Sequence, residues 1–161
     1  MKKLRTAILT VSDGCFHGQR EDLSGQALAE RTESLGWEVA ERGLVPDETD
    51  QIREKVASWT GRDDIDLLLT TGGTGLGPRD VTPEAVSPLL EKTADGLAEL
   101  MRSEGLKKTP FAALSRSLAG ILQGKVVLCL PGSPKGAVES LQAVQKILPH
   151  AVDLAQGRTQ H

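Results

Sequence analysis

The sequence predicts an α/β protein whose mainly parallel sheet is covered by helices on both faces. Three observations predict it. Short aliphatic runs alternate with amphipathic stretches, the signature of strands joined by helical crossovers. Two of those runs, Leu67–Leu69 and Val126–Leu130, have no polar residue to turn toward water, as strands buried on both faces require. The 161 residues include two Phe, two Trp and no Tyr, so the core must be filled by Leu, Val, Ile and Ala.

The elements follow in order. Leu4–Ser12 (LRTAILTVS) is β-branched and aliphatic and reads as a buried strand. Ser24 opens a helical stretch with Ala27, Leu28 and Leu35 apolar, closed by Gly36. Trp37–Val45 alternates apolar and polar residues, which suits a strand near a sheet edge with one wetter face. Asp47 or Thr49 can cap the next helix, whose Ile52, Val56 and Trp59 share a face. Asp66–Thr71 reads as a central strand. Thr82-Pro83-Glu84 is a helix start, with Thr82 as N-cap and proline at the first helical position. Leu97–Gly105 and Ala112–Leu122 carry two more helical patterns, and Lys125–Leu130 is a further buried strand. Ser133-Pro134 repeats the cap-then-proline start before an apolar stripe of Val138, Leu141, Val144 and Leu148. No repeat, low-complexity stretch or linker divides the chain, so one domain over residues 1–161 is expected.

Composition excludes several functions. The net charge of −3, without a sustained Lys/Arg run, leaves no phosphate-backbone footprint for nucleic acid. The apolar runs are too short to span a bilayer. Met1-Lys2-Lys3 begins like a leader, but Arg5, Ser12 and Asp13 interrupt the apolar core that a signal peptide needs. Cys15 and Cys129 are too few for a disulfide framework, so a cytoplasmic location is expected.

Glycine is in surplus, with 17 residues where average usage of about 7% gives about 11. Six of the 17 fall in two loops that directly follow buried strands, at Gly72, Gly73, Gly75, Gly77, Gly132 and Gly136. Ligand sites of such sheets lie beyond the carboxyl ends of the strands. In Gly72–Asp80 the loop is stripped of side chains, so successive backbone N–H groups can converge on an anion, with Thr71 and Thr74 adding hydroxyls. It is neither a Walker A loop nor a dinucleotide fingerprint. The second loop, Pro131-Gly132-Ser133-Pro134-Lys135, sets Ser133 at a helix N-terminus, where it either caps the helix or meets an anion together with Lys135.

Carboxylates beside such loops attract Mg²⁺, which takes one or two of them plus phosphate oxygens. Asp80 ends the first loop and is either such a ligand or an ion-pair partner of Arg79. Asp47 follows the second strand and is either a ligand or a helix cap. Ser12 and Asp13 close the first strand and either reach the same crevice or make a turn. Cys15 and His17 sit in the polar stretch Gly14–Asp22 and are weak evidence for zinc. Cys129 reads as inert core, and His150 and His161 as surface groups. Leu97 and Met101 read as a helical core face, Glu104, Lys107 and Lys108 as solvated, and Trp37 and Trp59 either pack internally or plug an interface.

At this point the motifs resemble a known family. TTGGTGLGPRDVTPEA from Thr70, VPDE from Val45, VSD from Val11, LSRSLAG from Leu114 and LPGSPKG from Leu130 resemble the molybdopterin adenylyltransferase (Mog/MoaB) family of molybdenum cofactor biosynthesis. The resemblance covers essentially the whole chain. It implies a three-layer α/β/α sandwich with a mainly parallel central sheet. It implies transfer of AMP from ATP to the terminal phosphate of molybdopterin, with Mg²⁺ present and pyrophosphate released. Asp47 and Asp80 match the family's two functional aspartates and would act in catalysis and on Mg²⁺. Ser12, Asp13, Thr71, Gly72, Gly73, Thr74, Gly75, Arg79, Ser115, Arg116, Pro131, Gly132, Ser133 and Lys135 would bind substrate or phosphate. It further implies a homo-oligomer, trimer or hexamer, and hand-off to a separate molybdate-inserting protein.

Two other functions use the same residues. A non-catalytic molybdopterin carrier or oligomeric scaffold would bind in the same crevice, although pure phosphate binding has no use for added acids. A nucleotide pyrophosphatase, as in competence-damage proteins of related fold, would bring additional domains.

Overall fold

The computed structural model describes residues 3–158; Met1 and Lys2 of the leader reading, and His161, lie outside them. Strands β1 (Arg5–Val11), β2 (Glu38–Val45), β3 (Leu67–Thr71), β4 (Lys92–Thr93), β5 (Leu118–Leu122) and β6 (Lys125–Leu130) form one sheet in the order β2-β1-β3-β6-β5-β4. The first four in that order run parallel, and β5 pairs antiparallel with both β6 and β4. β2 lies at the edge, as its alternation predicts.

The helices α1 (Asp13–Phe16), α2 (Leu23–Ser34), α3 (Thr49–Thr60), α4 (Thr82–Val86) and α5 (Asp95–Leu106) lie between the strands, and α6 (Pro134–Val144) and α7 (Leu148–Ala155) follow β6. Successive residues of a strand point to opposite faces, and each face has its own core. Leu67, Leu69, Val126 and Leu128 pack with Leu28, Met101, Leu141 and Val152 of α2, α5, α6 and α7. Leu68, Val127 and Cys129 pack with Ile52, Val56, Trp59 and Val86 of α3 and α4. That is the three-layer sandwich. Trp37 and Trp59 are both buried within this chain, and the Trp59 ring lies where a side chain on Gly43 would be. Burial pushes the Cys129 thiol up to about 12, which keeps it an unreactive core group.

Several local expectations are corrected. Ala112–Leu122 is not a helix. A 3₁₀ turn at Pro110–Leu114 is followed by strand β5, which pairs antiparallel with β6. The connection is the two-residue turn Gln123-Gly124, both at positive φ (50° and 76°), the geometry of the tightest hairpins. The long stripe ending at Leu148 is two helices, α6 and α7, broken between Val144 and Leu148. Helix α2 is capped by Asp22, which accepts from the Gly25 N–H at 2.9 Å, rather than starting at Ser24. Helix α3 has Glu48 at its cap position without a side-chain bond, so neither Asp47 nor Thr49 caps it. Thr82 caps nothing either: it lies within α4 and donates its hydroxyl to the Gly72 carbonyl at 2.8 Å. Ser133 does cap α6, accepting from the Gly136 N–H at 3.0 Å.

Candidate functional site

The carboxyl ends of β1, β2, β3 and β6 meet around a crevice of about 490 Å³. The glycine loop leaves β3 under tight steric limits. Gly72 and Gly73 have φ of +106° and +70°, and a side chain on either would strike the Val11 carbonyl or the Thr82 hydroxyl. Only glycine fits there. The Gly72 N–H donates to the Leu130 carbonyl at 3.1 Å, and the Thr71 hydroxyl donates to the Pro131 carbonyl at 2.7 Å. A Cβ on Gly132 would lie 3.3 Å from the Gly72 Cα, so the two glycine loops touch.

Arg116 holds the first loop in shape. Its backbone N–H donates to the Thr74 carbonyl at 2.8 Å. Its guanidinium donates to the carbonyls of Gly75 and Asp80, both at 2.8 Å, and pairs with Glu84 at 2.7 Å. The carboxylate of Asp80 accepts from the Gly77 N–H at 2.9 Å and is walled by Gly75 and Gly77. Asp80 is not the ion-pair partner of Arg79, which instead pairs with Asp13 at 3.0 Å and Glu48 at 2.7 Å.

Asp13 and Asp47 clasp each other. The Asp13 N–H donates to Asp47 Oδ2 at 2.8 Å, and the Asp47 N–H donates to Asp13 Oδ1 at 3.0 Å. Arg79 beside it, with the Asp47 N–H, holds the Asp13 carboxyl below its ordinary range. Asp47 goes the other way. Burial, and the neighbouring carboxylates of Asp13 and Asp80, push its carboxyl up against the pull of the Asp13 N–H and Arg79.

The structure therefore brings Ser12, Asp47, Gly73, Asp80, Gly132 and Ser133 to the crevice wall. Asp13 and Arg79 line a separate opening of about 350 Å³, together with Phe16 and His17. Thr71, Thr74 and Arg116 are engaged in building the loops, with Thr74 buried. Ser115 shares a hydrogen bond with Ser117 at 2.9 Å, in a small recess beside Pro131. Lys135 is exposed and stands outside the lining. Sequence reasoning overlooked Thr10, Arg20 and Glu21, which also face the crevice. Their position at or after the carboxyl end of β1 was the available signal.

Each crevice aspartate has one oxygen held by a backbone N–H, while the other has no hydrogen bond among the described residues. No group of three or more His, Cys, Asp or Glu among those residues could hold a metal by itself. Two half-engaged carboxylates in an acidic pocket fit Mg²⁺, which completes its shell with water and phosphate oxygens. They do not fit zinc, which prefers a closed nitrogen and sulfur set.

Fold and site together define an α/β protein with an acid-flanked, glycine-walled crevice at the carboxyl edge of its sheet. The family model described as "Probable molybdopterin binding domain" matches residues 7–150. The chain belongs to that family, whose place is molybdenum cofactor biosynthesis. Molybdopterin adenylyltransferase of Helicobacter pylori J99 is 39% identical over 159 residues, covering 98% of this chain and 90% of that protein. Molybdenum cofactor synthesis protein cinnamon of Drosophila melanogaster is 41% identical over 155 residues, covering 96% of this chain but 26% of that protein. The chain thus spans about a quarter of the fly protein's length. The crystal structure of the molybdopterin biosynthesis enzyme MoaB from Thermus thermophilus superimposes with a TM-score of 0.90 at 52% identity, covering 96% of this chain and 97% of that one.

Proposed function

We propose that this protein transfers AMP from ATP to the terminal phosphate of molybdopterin, giving adenylyl-molybdopterin and pyrophosphate in a Mg²⁺-dependent reaction. A terminal phosphate oxygen forms the new bond to the α-phosphorus of ATP, and the bond from that phosphorus to the pyrophosphate oxygen breaks. Such a transfer is chiefly positioning and charge neutralisation. The observation that carries the reading is the pair Asp47 and Asp80, each fixed through one oxygen and lining a crevice that both glycine loops border. A carrier that only bound phosphate would gain nothing from two added negative charges. The relatives named molybdopterin adenylyltransferase support the same chemistry.

Asp47 and Asp80 would hold Mg²⁺, which when bound neutralises phosphate charge. The N–H groups of Gly73, Thr74 and Gly75 and of the Ser133 turn orient the phosphates, while Asp13 and Arg116 position the two acids and the loop. Two free cysteines are consistent with a reducing, cytoplasmic setting. We also propose a homo-oligomer, a trimer or hexamer, supported by exposed Leu106, Phe111 and Leu114 close together in the chain. The product would pass to a separate molybdate-inserting protein.

Incubation with molybdopterin, ATP and Mg²⁺ should release pyrophosphate in step with adenylated pterin. Asp80→Asn should abolish that release while pterin still binds. Pterin binding by the unaltered protein without any pyrophosphate would establish the carrier instead.

A further inference from the structure

The crevice presents three carboxylates, Glu21, Asp47 and Asp80, and among the described residues a single cationic side chain, that of Arg20. Neighbouring arginines are committed elsewhere: Arg79 to Asp13 and Glu48, Arg116 to Glu84, Arg42 to Asp22. Arg20 has no ion pair and no side-chain hydrogen bond among the described residues. Its guanidinium brings five unassigned donors to a pocket otherwise rich in negative charge.

Its seat is built. The Arg20 N–H donates to the Gly14 carbonyl at 3.2 Å, folding the loop back over α1. The guanidinium then lies against Gly14, where a Cβ would stand 2.7 Å from Nε and 3.2 Å from Nη2. Two residues on, Asp22 anchors the loop by accepting from the Thr10 hydroxyl at 2.8 Å and the Gly25 N–H at 2.9 Å. A Cβ at position 14 would push the exposed Arg20 side chain out of the place it now occupies.

We propose that Arg20 is a phosphate-binding residue of this crevice and that Gly14 serves the site by leaving the space in which Arg20 lies. The planar fork of donors matches a phosphate bidentately, as a point charge does not. The inference rests on the crevice taking phosphorylated substrates, as in the proposed function. Two sources of phosphate meet there, the triphosphate of ATP and the monoester of the pterin. Arg20 answers to the chemistry they share.

The test compares Arg20→Ala, Arg20→Lys, Gly14→Ala and the Gly14→Ala/Arg20→Ala double variant of the full chain. Isothermal titration with Mg²⁺–ATP, and separately with molybdopterin, reads binding without turnover, and thermal melting monitors the fold. Loss of a charge-assisted bidentate contact predicts that Arg20→Ala weakens at least one ligand about tenfold or more, with the melting temperature unchanged. Weakening of ATP assigns the contact to the triphosphate, and weakening of the pterin assigns it to the monoester. Arg20→Lys should fall between, and Gly14→Ala should weaken the same ligand but add nothing in the Arg20→Ala background. Both affinities within twofold of the unaltered protein in Arg20→Ala, a matching drop in melting temperature, or additive effects of the two substitutions would overturn the proposal. If the ligands bind as expected but no pyrophosphate forms, the adenylyl transfer fails and the role of Arg20 stands. If pyrophosphate forms and the affinities do not move, Arg20 alone fails.

Discussion

Replacing Arg116 with alanine distinguishes a residue that touches substrate from one that shapes the loop. The guanidinium holds the carbonyls of Gly75 and Asp80 at 2.8 Å and pairs with Glu84 at 2.7 Å. Charge-assisted hydrogen bonds contribute about 1.5–3 kcal/mol each when desolvated. The Arg116 side chain is 33% exposed and Glu84 53% exposed, so water screens the ion pair to under about 1 kcal/mol and rehydrates part of both carbonyls. The sum is about 2–4 kcal/mol of stability. At about 2–4 °C per kcal/mol for a chain of this size, the melting temperature should drop on the order of 10 °C. Differential scanning calorimetry reads that shift, and hydrogen exchange should show faster exchange confined to the Gly72–Asp80 amides. Adenylyl transfer should fall through kcat and KM together, because loop and Asp80 move as one. An unchanged melting temperature with selective loss of one ligand would refute the clamp and make Arg116 a direct contact.

Two more outcomes follow from the acids. Asp47→Asn should abolish transfer yet not destabilise the fold at neutral pH. A carboxyl raised above its ordinary value binds a proton more tightly folded than unfolded, so its stability contribution falls as pH rises. The variant's advantage in urea unfolding should therefore grow from about pH 4 upward, the ordinary carboxyl value; an advantage largest in acid would contradict the raised carboxyl. Asp66 behaves oppositely. Burial opposes its charge, but Arg5, through its backbone and guanidinium, and Gln156 outweigh it and hold the carboxyl below its ordinary value. Asp66→Asn should cost about 2–4 kcal/mol at pH 7, shrinking as pH falls below about 3.9, the unperturbed value. A cost independent of pH would show that packing, not charge, accounts for it.

The buried strands were legible because aliphatic runs such as Leu67–Leu69 can satisfy no other environment. The two glycine loops were legible because so many missing side chains demand a reason. The cap, one of the two roles open to Ser133, is the one its hydrogen bond shows, whereas Asp47 and Thr82 have the same cap chemistry and different duties. A residue that suits a helix start also suits any nearby N–H or carbonyl, and only tertiary placement decides. Ala112–Leu122 failed for a related reason: its short apolar spacing serves a helix or a strand equally, and pairing with β6 settles it. Arg79 was weighed against its sequence neighbour when its partners lie on the segments following β1 and β2, far along the chain. Arg20 gave no signal beyond its position after β1, because its contact with Gly14 exists only in the folded loop.

The reversal of β5 has a consequence for how the loop came to be clamped. In a wholly parallel sheet every strand enters at the edge remote from the ligand, so the residue preceding a strand is delivered to the wrong end of the molecule. Because β5 runs against β6, its first residue, Leu118, sits opposite Cys129 near the exit of β6. The segment entering β5 thus arrives where β3 and β6 leave, and Arg116 comes with it. One inverted strand gives the site a brace from a part of the chain that strand direction would otherwise keep on the opposite side.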